Sequence, residues 1–313
     1  MVHKADASDQ VTDLKTLVHL KRGAIAAALL LAYFVTRPIR STLIVVTPTH
    51  DTLGRYAHVM NLAHGLAKSG VGRQLLWVVV EDAANVDSAI DDLLATSGVR
   101  YRYLAAESQA VSVHRGLVQR NRALDWIIEE GVEGTVYFAD DDNAYRPSLW
   151  RRLQALPKGA FTVLPVGNMG YFGWEGPVFG DVKDGRAAIE QWSCDFCPRR
   201  WNVDMSGFAF STTLLATQPS PRFEESSKTG FLETDFLAQI ENAEIASLVV
   251  FPELADSIHV WHNYGVPFHG AAFYDATWTT GGTVGRRMVN ASDIVLGFAW
   301  ADSDLPLAVE AGH

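Results

Sequence analysis

Three stretches of the chain share one pattern of hydrophobic and polar positions. LIVVTPTH (43–50), LLWVVVEDA (75–83) and TVYFADDDN (135–143) each run apolar and then break abruptly into polar residues at the C-terminal end. A solid apolar run rich in β-branched residues predicts a parallel strand buried on both faces. Between these runs, Tyr56 to Ser69 and Gly116 to Glu130 read as helices, the second with Leu117, Leu124 and Ile128 on one apolar stripe. Strands alternating with helices predict an α/β fold, a mostly parallel central sheet with helices on both faces. Such sheets place their ligand sites at the carboxyl ends of the strands. The second half is less regular. Gly and Trp scatter through 167–201, residues 203–215 suggest a strand running into a helix, and 230–241 suggest a helix opened by Gly230. After 265 no clear periodicity emerges.

A different pattern precedes the strands. Residues 23–35 are apolar and flanked by Lys21, Arg22, Arg37 and Arg40. A spanning helix wants about 20 apolar residues, whereas a secretory apolar region has about 7–15, so the segment reads either as a short signal-anchor or as a helix packed on the domain. Asn290-Ala291-Ser292 is a glycosylation acceptor only if that segment exports the chain. Composition then narrows the classes. With 48% hydrophobic and 20% charged residues the 313-residue chain can bury a sizeable core. A net charge of −10 has the wrong sign for binding nucleic-acid phosphates, so no nucleic-acid partner is expected. Cys194 and Cys197 are the chain's two cysteines and read as ordinary thiols rather than a redox or metal pair.

The candidate chemistry sits where the apolar runs break. Asp140, Asp141 and Asp142 follow TVYFA directly, and like charges packed together repel unless a cation neutralises them. Hard oxygen ligands at a strand end suit Mg²⁺ or Mn²⁺ that also holds a substrate's phosphates; a solvated acidic turn is the alternative. Just upstream, HRGLVQRNRALDW (114–126) places Arg115 at a helix start and Arg120 about one and a half turns on, a natural anion site. A nucleotide diphosphate held between a metal and arginines is the leading reading. Asp82, after the second run, can accept hydrogen bonds from a nucleobase or ribose. Glu233 falls in a first helical turn, where dipole stabilisation is the plain alternative to a general base.

The ordered set PTH (48–50), VEDA (80–83), HRGLVQRNRALDW (114–126), VYFADDDN (136–143), EGP (175–177), VDMSGFAF (203–210), GFLET (230–234) and VWH (260–262) resembles glycosyltransferase family 43. The family includes animal β-1,3-glucuronosyltransferases and plant proteins resembling β-1,4-xylosyltransferases, and RRWNVDMSGFAF with GFLETDF is particularly like the plant branch. The resemblance implies a GT-A fold over 42–264, an N-terminal segment 1–41 with a signal-anchor-like helix, and a C-terminal tail 265–313. It implies a UDP-sugar donor, a glycan acceptor, Mn²⁺ (Mg²⁺ as the alternative) and inversion at the anomeric carbon. Carried over, Asp142 is the metal ligand; Pro48, His50, Asp82, Arg115, Arg120, Asp140, Asp141 and His262 lie on the nucleotide-sugar side. Glu175, Arg199 and Asp204 are substrate-side positions, and Glu233 is the catalytic base.

The resemblance also implies a homodimer with membrane association through 23–35, a Golgi type II protein if eukaryotic and otherwise a cytoplasmic or inner-membrane-associated one. Three departures bear on the donor. The family's tyrosine after Pro-Thr is His50, the arginine after VWH is replaced by Asn263, Tyr264 and Gly265, and the arginine four residues before the base is Thr229. An anionic glucuronate at a buried site wants a paired cation. The departures weaken the case for a glucuronate donor and favour xylose, but β-1,3-glucuronosyl transfer to a galactoside, the best-defined activity of the family it resembles, stays the expected function, with β-1,4-xylosyl transfer from UDP-xylose, or a non-catalytic role in a glycan-synthase complex, as alternatives.

Overall fold

In a computed structural model the chain is described over residues 41–109, 114–167, 173–194, 199–242, 246–255, 257–262, 273–279 and 283–289. It divides into two units, Met1–Arg40 and Ser41–His313, and the described residues belong to the second. The apolar segment 23–35, Asn290 and Cys197 lie outside them. In order along the chain come β1 (Thr42–Thr49), α1 (Arg55–Ala67), β2 (Leu75–Glu81), α2 (Ser88–Thr96), β3 (Tyr101–Ala105), α3 (Leu117–Glu129) and β4 (Gly134–Phe138). Then follow β5 (Ala144–Tyr145), α4 (Pro147–Gln154), β6 (Ala160–Val163), β7 (Val166–Gly167), β8 (Trp174–Phe179) and β9 (Ile189–Ser193). The remainder comprises β10 (Phe208–Ser211), α5 (Leu232–Glu241), β11 (Ser247–Leu248), α6 (Pro252–Ala255), β12 (Val260–Trp261), β13 (Phe273–Thr279) and β14 (Thr283–Val289).

Solid apolar runs become the middle of a seven-stranded sheet of order β11-β6-β10-β4-β1-β2-β3. β1 pairs in parallel with β2 and β4, and β2 with β3; β10 runs antiparallel to its neighbours. Alternate residues of one strand feed different cores. Ile44, Val46, Val78 and Val80 join Leu124, Ile127, Phe236 and Ile240 of α3 and α5 on one face. Leu43, Val45, Trp77 and Val79 join Val59, Leu62, Ile90, Trp150 and Leu153 of α1, α2 and α4 on the other. This two-sided burial is why the runs are apolar throughout, and the α/β fold class with a mostly parallel sheet and helices on both faces is the one observed. A second sheet, β5-β12-β7-β8-β9, adjoins it, and β13 pairs with β14 as an antiparallel hairpin in the 265–313 tail.

Several local expectations are corrected. The buried stripe of α3 runs through Leu117, Arg120, Leu124 and Ile127, while Ile128 is 43% exposed. An arginine occupies one turn of the inward face, which disguised the periodicity. The 203–215 segment contains only the short strand β10 between 3₁₀ turns at Met205–Gly207 and Thr212–Ala216, with no α-helix. Cys194 is disulfide-bonded, not an ordinary thiol; residue counts alone do not reveal oxidation. Among the described residues no helix is long and apolar enough to cross a membrane.

Candidate functional site

The strand order β4-β1-β2 brings the three polar breaks side by side. Ala139 N–H donates to Val46 O (2.9 Å) and Asp82 N–H to Thr49 O (2.8 Å), so the strand ends are level. Beyond β2, the Asp82 carboxylate accepts from Ser108 N–H (2.6 Å) and Ser108 Oγ–H (2.8 Å), which ties it to the segment after β3. Its neighbour Glu81 points the other way, 2% exposed. It receives Arg55 Nη1 at 2.6 Å and a bond from the Tyr103 hydroxyl, an internal network rather than a ligand group. His50, just past β1, is exposed, and Pro48 lies against the turn at Gly116.

The three aspartates leave β4 in different environments. Asp140 receives Arg120 Nη2 at 2.6 Å, and the second guanidinium nitrogen donates to Arg115 O at 3.0 Å. Arg120 is thus paired with a carboxylate of the same site, and its buried Nε has no hydrogen-bond partner. Gly116 permits this arrangement: its φ is +72°, and a Cβ there would stand 2.5 Å from Arg120 Nη1. Arg115 precedes α3 and is exposed, with Gly116 as the residue that opens the helix. Asp141 accepts from Thr49 Oγ1–H at 2.8 Å. Burial pushes its carboxyl up to about 6 despite that bond, and repulsion from Asp142 and Asp140 adds to the rise. Burial likewise raises Asp142, whose carboxylate makes no hydrogen bond or ion pair to another described residue.

Glu175 of β8 and Arg199 form an ion pair with 6% and 3% side-chain exposure. Arg199 Nη1 also donates to Gly230 O at 2.6 Å, anchoring the entry to α5, whose second residue is Glu233. Burial drives Glu233 up to about 7, with repulsion from Asp204 in the same direction; Arg120 and Arg199 oppose the rise. The Asp204 carboxylate lies 3.1 Å from His262 Nε2 and accepts from Ser206 N–H at 2.9 Å. Burial would raise Asp204 and lower His262, yet their contact outweighs it: Asp204 is lowered and the imidazole is raised to about 9, so His262 is a cation at neutral pH.

Asp82 and the eight other charged residues from Arg120 through Glu233 and His262 therefore lie around the ends of β1, β2 and β4 and the start of α5, with Arg115 and His50 on the exposed rim. Seven of the candidates are carboxylates, against three arginines and one imidazolium. Among the described residues no three His, Cys, Asp or Glu side chains converge into a metal-holding group. Asp142 fits one-point attachment of a hard divalent cation: among the described residues no other side chain or backbone group binds its oxygens, in an acidic surrounding, with the remaining positions left for water and phosphate oxygens. Sequence reasoning missed Thr49, Ser108 and Arg55. Thr49 lies inside the quoted PTH block, but no local pattern marks Ser108 or Arg55, whose partners are distant in sequence.

Comparison with known proteins follows the same outline. The model of glycosyltransferase family 43 matches residues 62–264. Galactosylgalactosylxylosylprotein 3-beta-glucuronosyltransferase 3 of Homo sapiens is 34% identical over 223 residues, 64% of this chain and 64% of that protein. Its Mus musculus counterpart is 32% identical over 71% of this chain and 70% of its own length. The chain thus spans slightly under two thirds of the human relative. Among solved structures, S. aureus TarS 1-349 in complex with UDP aligns over 70% of this chain and 60% of its own, with a TM-score of 0.45 and 16% identity. Mannosyltransferase PcManGT from Pyrobaculum calidifontis, in complex with GDP-Man and Mn²⁺, aligns over 75% and 68%, with a TM-score of 0.39 and 14% identity.

Proposed function

Because the chain belongs to glycosyltransferase family 43, we propose that it moves a sugar from a UDP-sugar to a glycan hydroxyl with inversion, as a β-1,3-glucuronosyltransferase acting on a galactoside. The observation that carries this reading is Glu233: a carboxylate in the first turn of α5, raised to about 7 by burial, with Asp204, Arg120 and Arg199 close enough to act on its charge. A general base works best with its pKa near the operating pH. Glu233 accepts the proton of the acceptor hydroxyl as that oxygen attacks the anomeric carbon. The bond from that carbon to the diphosphate breaks and UDP departs.

Each remaining group has a part in this reading. Arg199 and Glu175 orient acceptor hydroxyls, Asp82 holds the nucleoside end, and the cationic His262 faces the leaving diphosphate. A divalent cation on Asp142, Mn²⁺ in the first instance, supplies charge neutralisation there. Membrane attachment through 23–35 and a homodimer belong to the same proposal.

Xylosyl transfer is the second reading. It is favoured by Thr229 and by Asn263, Tyr264 and Gly265, positions that lack a cation for a glucuronate carboxylate. The test measures UDP release from UDP-glucuronate and UDP-xylose, with and without Mn²⁺, against a galactoside and a xylo-oligosaccharide. Acceptor-dependent release from UDP-glucuronate is expected. Release from UDP-xylose alone selects the second reading, and donor binding without release under any condition selects a non-catalytic role. Asp142→Ala should abolish metal-dependent UDP binding; retained metal dependence removes Asp142 from that role.

A further inference from the structure

A cavity lies where β6, β9, the 199–202 segment, the C-terminal end of α5 and β11 meet. It is a cavity of about 410 Å³, within the range of small-ligand sites. Its walls include Phe161, Trp192, Trp201 and Leu248, and its rim holds Arg200 and Glu241. Trp192 and Trp201 stand perpendicular, at 89° with centroids 6.1 Å apart, and Phe161 braces Trp201 edge-on at 5.4 Å. Trp201 is buried and Trp192 half-buried, so Trp192 offers the accessible aromatic surface. The rim is pre-organised. Arg200 donates to both Glu241 oxygens, through Nε at 3.1 Å and through Nη2, while Trp201 Nε1–H donates to Glu241 at 3.1 Å. Arg200, two thirds exposed, keeps three of its five N–H donors for another partner.

We propose that this cavity is a secondary glycan subsite, binding a neutral sugar ring of the acceptor chain beyond the unit that receives transfer. A pyranose has an apolar C–H face to set against an indole and a rim of hydroxyls that both accept and donate. The wall of Trp192 and the paired guanidinium and carboxylate meet those two needs, and a charge-balanced rim suits an uncharged polyol better than an anion or a cation. The cavity shares its framework with the acceptor end of the first site. Arg200 and Trp201 follow Arg199 directly, Trp201 N–H donates to Thr234 Oγ1 at 2.9 Å beside Glu233, and α5 runs from Glu233 to Glu241. Eight residues of helix span roughly 12 Å, a separation on the scale of a chain several sugars long.

The inference rests on the glycosyltransferase reading for its choice of ligand, and the test separates the two. Binding of a short and a long oligosaccharide of each acceptor series, galactoside and xylo-oligosaccharide, is measured by calorimetry on Glu233→Gln, alone and combined with Trp192→Ala or Arg200→Ala, with UDP binding as the control. KM for both lengths is measured on Trp192→Ala by itself. The expected result is about a tenfold weakening for the long oligosaccharide, the loss typical of an anchoring aromatic, with short-acceptor KM, kcat and UDP affinity unchanged. If no acceptor supports turnover, the catalytic reading fails, while the calorimetric comparison still decides the subsite. Equal effects on short and long ligands, no effect on either, or a change in oligomeric mass on Trp192→Ala without a change in sugar binding each overturns it. Arg200→Ala, on an exposed side chain, guards against misreading a folding defect of the tryptophan variant.

Discussion

Arg55 offers the sharpest test of what holds the β2 end of the candidate site together. Its guanidinium enters from the first residue of α1, bonds Glu81 at the end of β2, and also pairs with Asp87, the residue that caps α2 through Ala89 N–H at 2.8 Å. The two ion pairs are unequal. The Arg55 and Glu81 side chains are 9% and 3% exposed, whereas Asp87 is 37% exposed and well solvated. Removing one partner of a buried pair costs about 3–5 kcal/mol, while an exposed pair contributes about 0–1 kcal/mol. Arg55→Met should therefore cost about 3–5 kcal/mol, nearly all of it through Glu81, which is left among apolar strands with only the Tyr103 hydroxyl.

Against a total stability of about 5–15 kcal/mol that is a large loss, and urea denaturation reads it directly. With a slope of about 2 kcal/mol per molar, the midpoint should fall by about 2 M without a change in slope. Adding Glu81→Gln removes the stranded charge, so the double variant should lose clearly less than the two single losses combined. Asp82 follows Glu81 in the chain, and UDP affinity should drop in Arg55→Met in parallel. A loss of about 1 kcal/mol or less, or strict additivity of the two substitutions, would refute the assignment of a buried, coupled pair.

Other consequences can be checked separately. With Glu233 near 7, the protonated form dominates below that pH; kcat/KM should fall about tenfold per unit as pH drops below 7 and level off above it, in a pH–rate profile. Glu233→Gln should lower kcat by about 10²–10⁴-fold while UDP binding by calorimetry is retained. Gly116→Ala forces a left-handed residue to carry a Cβ beside Arg120, so it should cost about 1 kcal/mol or more in a thermal melt and weaken UDP binding by displacing the Arg120–Asp140 pair. Ile127→Ala should cost about 2–5 kcal/mol as a cavity in the sheet–helix core, whereas exposed Ile128→Ala should stay within about 0.5 kcal/mol.

The central architecture was legible in the chain because β2 and β4 are buried at every position, so both faces of each strand must be apolar and the run shows no alternation. The abrupt breaks at His50, Asp82 and Asp140 likewise marked the ligand-facing ends of the sheet, since polar residues return where the strands leave the core. Family motifs then named the candidate groups. What the sequence could not contain is which of these charges are already paired. Arg120 read as part of an anion site, but no pattern showed that the inward face of α3 delivers it to Asp140, twenty residues away, and the same burial shifted the apolar stripe from Ile128 to Ile127. Glu81 and Asp82 are neighbours in sequence but alternate across the end of a strand, so one is locked to Arg55 and Tyr103 inside and the other is held at the site by Ser108. Glu233 owes its raised pKa to burial and to repulsion from Asp204, whereas His262 owes its raised pKa to contact with Asp204 against the opposing effect of burial, and every one of these partners is distant in sequence. Local patterning determines which elements form; only folding decides which charges meet and how dry they become, because both depend on partners that no sequence window contains.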